Sequence, residues 1–185
     1  EEQSGFIKEV GAELYHQMLE EEIIRQKNKL INDNKVVAKS SFQPIIRIPE
    51  EIFIPDEYIN DLDIKMSIYK RISLIVNNQE RNNFMVELVD RFGKLPNEVE
   101  NLFKLIEIKI LCIKNNIEQI EFGRMGILFS FYKNSPKNPE KILKIGLSKD
   151  KQITIRSDQK VFYDFFGNIS DNRFEVVKNI IKKFH

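Results

Sequence analysis

The chain of 185 residues is poor in several of the residues that carry chemistry. It has one cysteine, two histidines, seven glycines and no tryptophan, and alanine occurs only at positions 12 and 38. A single cysteine, Cys112, excludes an intramolecular disulfide and a thiolate metal cluster. Two histidines, His16 and His185, leave a zinc site or a Ser-His-Asp triad short of parts. No glycine pattern of the GxxxxGK[ST] or GxGxxG kind is present, so no phosphate-cradling loop is predicted. No apolar run approaches the ~18 residues of a membrane span. The chain opens without a basic n-region and apolar h-region, which predicts no signal peptide. Few cysteines and no leader point to a reduced, cytoplasmic setting.

What is present is an ordinary globular composition. Hydrophobic residues make up 42 % and charged residues 31 %, enough for one domain plus an appendage at this length. The formal net charge of +1 conceals a split. Residues 1–92 hold 12 basic and 17 acidic residues, net −5, and residues 93–185 hold 17 and 11, net +6. The near balance argues against a polybasic nucleic-acid or membrane binder. Heavy use of Ile, Lys and Asn reads as codon bias, which devalues isolated surface lysines as functional signals. The first residues, Glu1-Glu2-Gln3, lack an initiator Met and suggest a piece of a longer protein.

Periodicity predicts an α+β fold. Ile7, Leu14 and Met18 mark a long first helix over residues 7–31, with Glu20–Glu22 and Arg25, Lys27 and Lys29 on a solvated face. Residues 32–44 are a polar linker. Ile45, Ile46 and Ile48 form a short strand closed by Pro49. Pro55-Asp56-Glu57 has the composition of a helix start. Three amphipathic helices follow over 61–76, 79–92 and 96–115, the second capped by Gly93, and suggest a small bundle. The period then changes. Residues 117–122 and 127–132 form a hairpin about the turn 123–126. A helix is predicted over 139–147, short strands over 152–156 and 160–163, and a closing helix over 174–184. The expected organisation is a helix at 1–31, a linker at 32–44 and an α+β domain at 45–185 with a small, mostly antiparallel sheet.

Candidate sites are few. His16 reads as a partly exposed helix residue, and Cys112, flanked by Leu111 and Ile113, as a buried inert thiol rather than a nucleophile. The carboxylate pairs Asp61/Asp63, Glu50/Glu51 and Glu98/Glu100 fall at helix starts or in loops. Glu87 and Asp90 differ, because they lie three apart in mid-helix and share a side. Two readings fit them: Arg91 neutralises the side locally, or the pair docks arginines of a partner. The cluster Phe162, Tyr163, Phe165 and Phe166 reads as core packing rather than a base-stacking platform. The basic half offers an alternative function, an accessory nucleic-acid-binding module.

Longer strings of residues are more specific. Gln3-Ser4-Gly5 with Gly11, Leu14, Tyr15 and Met18-Leu19-Glu20, then Ile54-Pro55-Asp56 with Tyr58-Ile59, then Met66-Ser67-Ile68-Tyr69-Lys70-Arg71-Ile72, and above all Val86-Glu87-Leu88-Val89-Asp90-Arg91-Phe92-Gly93-Lys94-Leu95-Pro96, resemble in order and spacing the C-terminal part of the bacterial transcription-repair coupling factor (Mfd) family. The resemblance covers residues 1 to about 123; beyond it only the pattern of elements agrees. It implies a parent that is an ATP-dependent DNA translocase, with ATP and Mg bound upstream of this chain, so that the fragment itself holds no cofactor and does not hydrolyse ATP. Gln3 falls on the glutamine at the tail of the motif coupling hydrolysis to movement on DNA. The resemblance further implies that the C-terminal domain packs on the N-terminal UvrB-like module of the same protein. There it masks the surface that binds UvrA and restrains the motor until RNA polymerase is engaged. Glu87 and Asp90, with Arg91 beside them, fall on the positions that face that module's basic residues. Tyr69 is expected to pack, and Lys70 and Arg71 to be exposed.

Overall fold

The computed structural model describes residues 42–148, 152–167 and 172–184. The predicted first helix, Gln3, His16 and His185 lie outside the described residues. Those described form five α-helices and a five-stranded sheet, the α+β class that the periodicity predicts. They divide into two compact units. One contains residues 50–106, and the other residues 42–49 together with the described residues from 107 onward.

In the first unit, Pro55 does not open a helix. Its carbonyl accepts from the Tyr58 and Ile59 amides, at 3.1 and 3.0 Å, and the chain makes a single turn. Helix α1, Leu62–Leu74, starts seven residues later. Its N-cap is Asp61, whose Oδ1 accepts from the Ile64 amide at 2.9 Å. The cap supplies an acceptor for a free first-turn donor, which the acidic residues after Pro55 do not do in this geometry. Helix α2, Asn78–Phe92, is capped by Asn77 and closed by Gly93 at φ +83°. Helix α3, Asn97–Asn115, follows Pro96. Tyr69 and Ile72 of α1, Phe84 and Leu88 of α2, and Leu102 and Ile106 of α3 are buried at helical spacings, as are Ile68, Val99 and Phe103, while Leu62 and Val76, which the 3.6 period also places on the first stripe, are 65 % and 68 % exposed. Phe84 meets Phe103 edge to face at 6.1 Å. Tyr69 packs as expected, and its hydroxyl accepts from the buried Ile54 amide at 2.8 Å.

In the second unit, strands β1 (Ile45–Arg47), β2 (Ile117–Phe122), β3 (Gly126–Phe131), β4 (Ile153–Ile155) and β5 (Val161–Asp164) form one sheet in the order β1-β2-β3-β5-β4. Only the β1–β2 pair is parallel. Ile46, Ile120, Phe129, Val161 and Ile155 stand in one row across all five strands. This is the apolar face. Helix α4, Pro139–Gly146, reaches β4, where Gly146 lies against Ile155. Helix α5, Arg173–Phe184, buries Phe174, Val177, Ile181 and Phe184. The Phe184 ring sits edge-on to Phe129 at 5.3 Å and to Phe131 at 6.0 Å. The second half of α3 also belongs here: Lys178 of α5 bridges Glu107 of α3 at 3.2 Å and Glu175 at 2.6 Å.

Candidate functional site

Helix α2 carries the acidic residues singled out above. An α-helix turns about 100° per residue. Asn82, Val86, Val89 and Asp90 therefore fall on one arc, and Phe84 and Leu88 on the opposite one. The second arc is buried and the first is open, with Val86 58 % and Val89 42 % exposed and Asp90 exposed between them and solvent. Val86 and Val89 thus leave apolar surface uncovered beside a carboxylate on this arc.

Glu87 sits at the margin between the arcs and is not free. Arg71 reaches across from the last turn of α1 and donates from both terminal nitrogens, Nη1 to Oε1 at 2.5 Å and Nη2 to Oε2 at 2.6 Å. Arg91, one turn further along α2, adds Nη1 to Oε1 at 3.3 Å. The Arg71 fork, with Arg91 behind it, holds the Glu87 carboxyl below the usual carboxylate range. Arg71 is pinned from a second side, since its guanidinium lies 4.1 Å from the centre of the Phe84 ring. The local neutralisation through Arg91 is therefore present, and the principal partner is Arg71, which lies sixteen residues away on another helix. Lys70 and Arg71 are both exposed, as expected, but Arg71 is committed to this pair. Asp90 has no ion-pair partner among the described residues.

The other candidates take structural places. Cys112 is fully buried, and burial pushes its thiol up, away from the thiolate a nucleophile needs. Asp61 is a cap, and Asp63, Glu98 and Glu100 lie in first turns. Phe165 is buried and Phe162 and Tyr163 half-buried, while Phe166 remains 57 % exposed. A cleft of about 500 Å³ is lined by Pro55, Tyr58, Lys94, Leu95 and Pro96 among others. The Tyr58 hydroxyl points inward there, donating toward the Leu88 and Gly93 carbonyls, both at 3.3 Å. It thus ties the Pro55 turn to the end of α2. Exposed basic residues of the second half are spread over separate elements, with Arg124 in the β2–β3 turn, Lys141 and Lys144 on α4, Arg156 after β4, and Lys182 and Lys183 on α5.

These elements define an α+β domain with a helical unit followed by a mixed five-stranded sheet. Comparison with known proteins gives it a family. The profile described as TRCF domain matches residues 48–142. The transcription-repair-coupling factor of Rickettsia conorii is 42 % identical over 163 residues, covering 88 % of this chain and 14 % of that protein. The corresponding protein of Haemophilus influenzae is 30 % identical over 183 residues, covering 98 % of the chain and 16 % of that protein. A crystal structure of the C-terminal domain of a transcription-repair coupling factor superposes with a TM-score of 0.63 at 21 % identity, covering 80 % of this chain and 92 % of that one. The chain belongs to the TRCF domain family of transcription-repair coupling factors. It spans about one seventh of the length of the curated relatives it matches.

Proposed function

We propose that the chain is a non-catalytic regulatory domain that docks, through the exposed arc of α2, on the N-terminal UvrB-like module of its own parent protein. There it covers the surface that binds UvrA and restrains the DNA-translocating motor until RNA polymerase is engaged. ATP and Mg belong to the motor, and DNA is contacted through it. The observation that carries this reading is the uncovered arc itself, with Val86, Val89 and Asp90 exposed side by side on a helix that buries Phe84 and Leu88 on its other side. A small apolar patch supplies contact area, and the carboxylate beside it selects a basic partner surface. An arc of this size makes a contact of modest strength, and a clamp that must open on a signal needs a gap of only a few kcal/mol.

The reading is tested in the full-length protein. With Glu87→Lys and Asp90→Lys together, the domain should release the module, and UvrA affinity measured by titration should rise about tenfold, a common size for a coupling between sites. An unchanged UvrA affinity in a folded double variant counts decisively against the clamp. A DNA titration of the same pair at low salt separates the alternative. A nucleic-acid surface made by the basic half would give salt-dependent binding, and removing two carboxylates would strengthen it.

A further inference from the structure

The two edges of the sheet are finished differently. At one edge, β1 lies between Pro44 and Pro49 and carries Arg47, whose Nη1 pairs with Glu121 Oε1 at 2.7 Å. Prolines and charges are the usual guards of an open strand. At the other edge, β4 is Ile153-Thr154-Ile155, three β-branched residues with no charge, no proline and no break in register. Among the described residues nothing pairs with its outer side. The ladder fixes which groups face that side. The Asp164 amide donates to the Gln152 carbonyl at 2.7 Å, and the Arg156 amide to the Lys160 carbonyl at 2.8 Å. Bonded residues alternate along an antiparallel pair. Thr154 therefore bonds to Phe162, and Ile153 and Ile155 each turn an N–H and a C=O away from the sheet.

Apolar surface lies beside this edge. Ile155 stays 38 % exposed although α4 meets it at Gly146, and Leu143 and Leu147 are 54 % and 85 % exposed. At about 100° per residue, both leucines stand on one side of Gly146, about 60° and 100° round the helix. We propose that β4 pairs with β4 of a second copy of this chain, antiparallel about a two-fold axis at Thr154, and so joins two five-stranded sheets into one. The edge is self-complementary in that register. Ile153 of each copy faces Ile155 of the other, which makes four main-chain hydrogen bonds from the outward groups, and Thr154 faces Thr154, a favourable cross-strand pair. Arg156 falls opposite Gln152, so no like charges meet along the strands. The axis is normal to the sheet, which keeps both α4 helices on one side of the joined sheet, where each copy's Leu143 and Leu147 can cover the other's. A seam of three strand residues and two leucines a side belongs with the interfaces below about 1,200 Å², which are weak and reversible.

Sedimentation velocity tests the pairing. Between about 10 μM and about 1 mM chain, the range of a weak contact, the apparent mass should climb toward double. Thr154→Lys sets two ammonium groups against each other at the axis and should weaken the dimer about tenfold or more. Thr154→Glu should do the same, and an equal mixture of the two variants should dimerise again, because unlike charges then meet. Thr154 is exposed and keeps its main-chain bonds to Phe162 in both variants, so their thermal midpoints should stay near that of the native chain. Hydrogen exchange reads the register residue by residue. The Ile153 and Ile155 amides should slow as the dimer forms, and the Thr154 amide, already donated to Phe162, should not change. A mass that remains that of one chain at about 1 mM overturns the proposal. So does a dimer that Thr154→Lys leaves intact, or a mixture of the two variants that stays apart. The clamp is read from UvrA affinity and from α2, so either result here leaves that reading untouched.

Discussion

At the scale of single residues, the positions that decide behaviour are those whose surroundings contradict their chemistry. Lys109 is the clearest. It lies in the second half of α3, is almost fully buried, and burial lowers its pKa to about 8. The folded pKa is below the unfolded value near 10.5. Between pH 8 and 10.5 the unfolded chain therefore binds the extra proton, and stability rises with pH across that window by about 3 kcal/mol. Lys109→Met removes the titration. The variant should be more stable than the native chain at pH 7 to 8, with the gap closing as pH approaches 10.5. Urea midpoints of the two proteins at four pH values in this range test it; a constant gap would show that burial does not govern this lysine. Arg71 teaches the complementary lesson. The local rule for i,i+4 pairs finds Arg91 beside Glu87, but no local rule finds a partner sixteen residues away. Only the packing of α1 against α2 creates that pair.

At the scale of elements, helix ends were legible where a side chain closes them. Gly93 was recognisable as a cap because a left-handed residue is needed there, and it sits at φ +83° with its amide donating to the Val89 carbonyl at 2.9 Å. No helix starts at Pro55, for a physical reason. Proline and acids favour a first turn, but helix propagation waits for the apolar stripe that begins beyond Asp61. The start of α2 is the strongest local device. Asn77 Oδ1 accepts from the Glu80 amide at 2.9 Å, its Nδ2 donates to Glu80 Oε1 at 2.7 Å, and Glu80 Oε2 accepts from the Val76 amide at 3.2 Å. This reciprocal box fixes the start of the helix that carries the docking arc. Asn77→Ala should cost about 1 kcal/mol, read as a lowered urea midpoint with unchanged slope. Asn77→Asp should retain most of the stability, because the carboxylate still accepts from the first turn. Equal loss in both variants would mean that the Nδ2 bond to Glu80, which Asp also removes, carries the cap rather than the acceptor; no loss in either would mean that packing alone holds the helix start.

At the scale of the whole molecule, the legible part of the fold is its order of elements, and the hidden part is their pairing. The hairpin β2–β3 follows from sequence because its strands are neighbours joined by a short turn. The parallel union of β1 with β2 joins strands some seventy residues apart, and the order β5-β4 at the far edge is set by which strand meets β3. Neither leaves a local trace. The same holds for the division into two units, which falls within the continuous helix α3 and so has no linker to announce it. This division makes its own prediction. Phe184 closes the second unit against Phe129 and Phe131, and Phe184→Ala should cost about 3–5 kcal/mol, a large part of an ordinary domain's stability. If the units open separately, hydrogen exchange should accelerate in β2, β3, β5 and the α3 amides beyond residue 107. The amides of α1 and α2 should keep their protection, because Val99, Leu102, Phe103 and Ile106 anchor the first half of α3 in its own core. A uniform acceleration would instead show that α3 transmits the loss along its length and makes the two units one cooperative body.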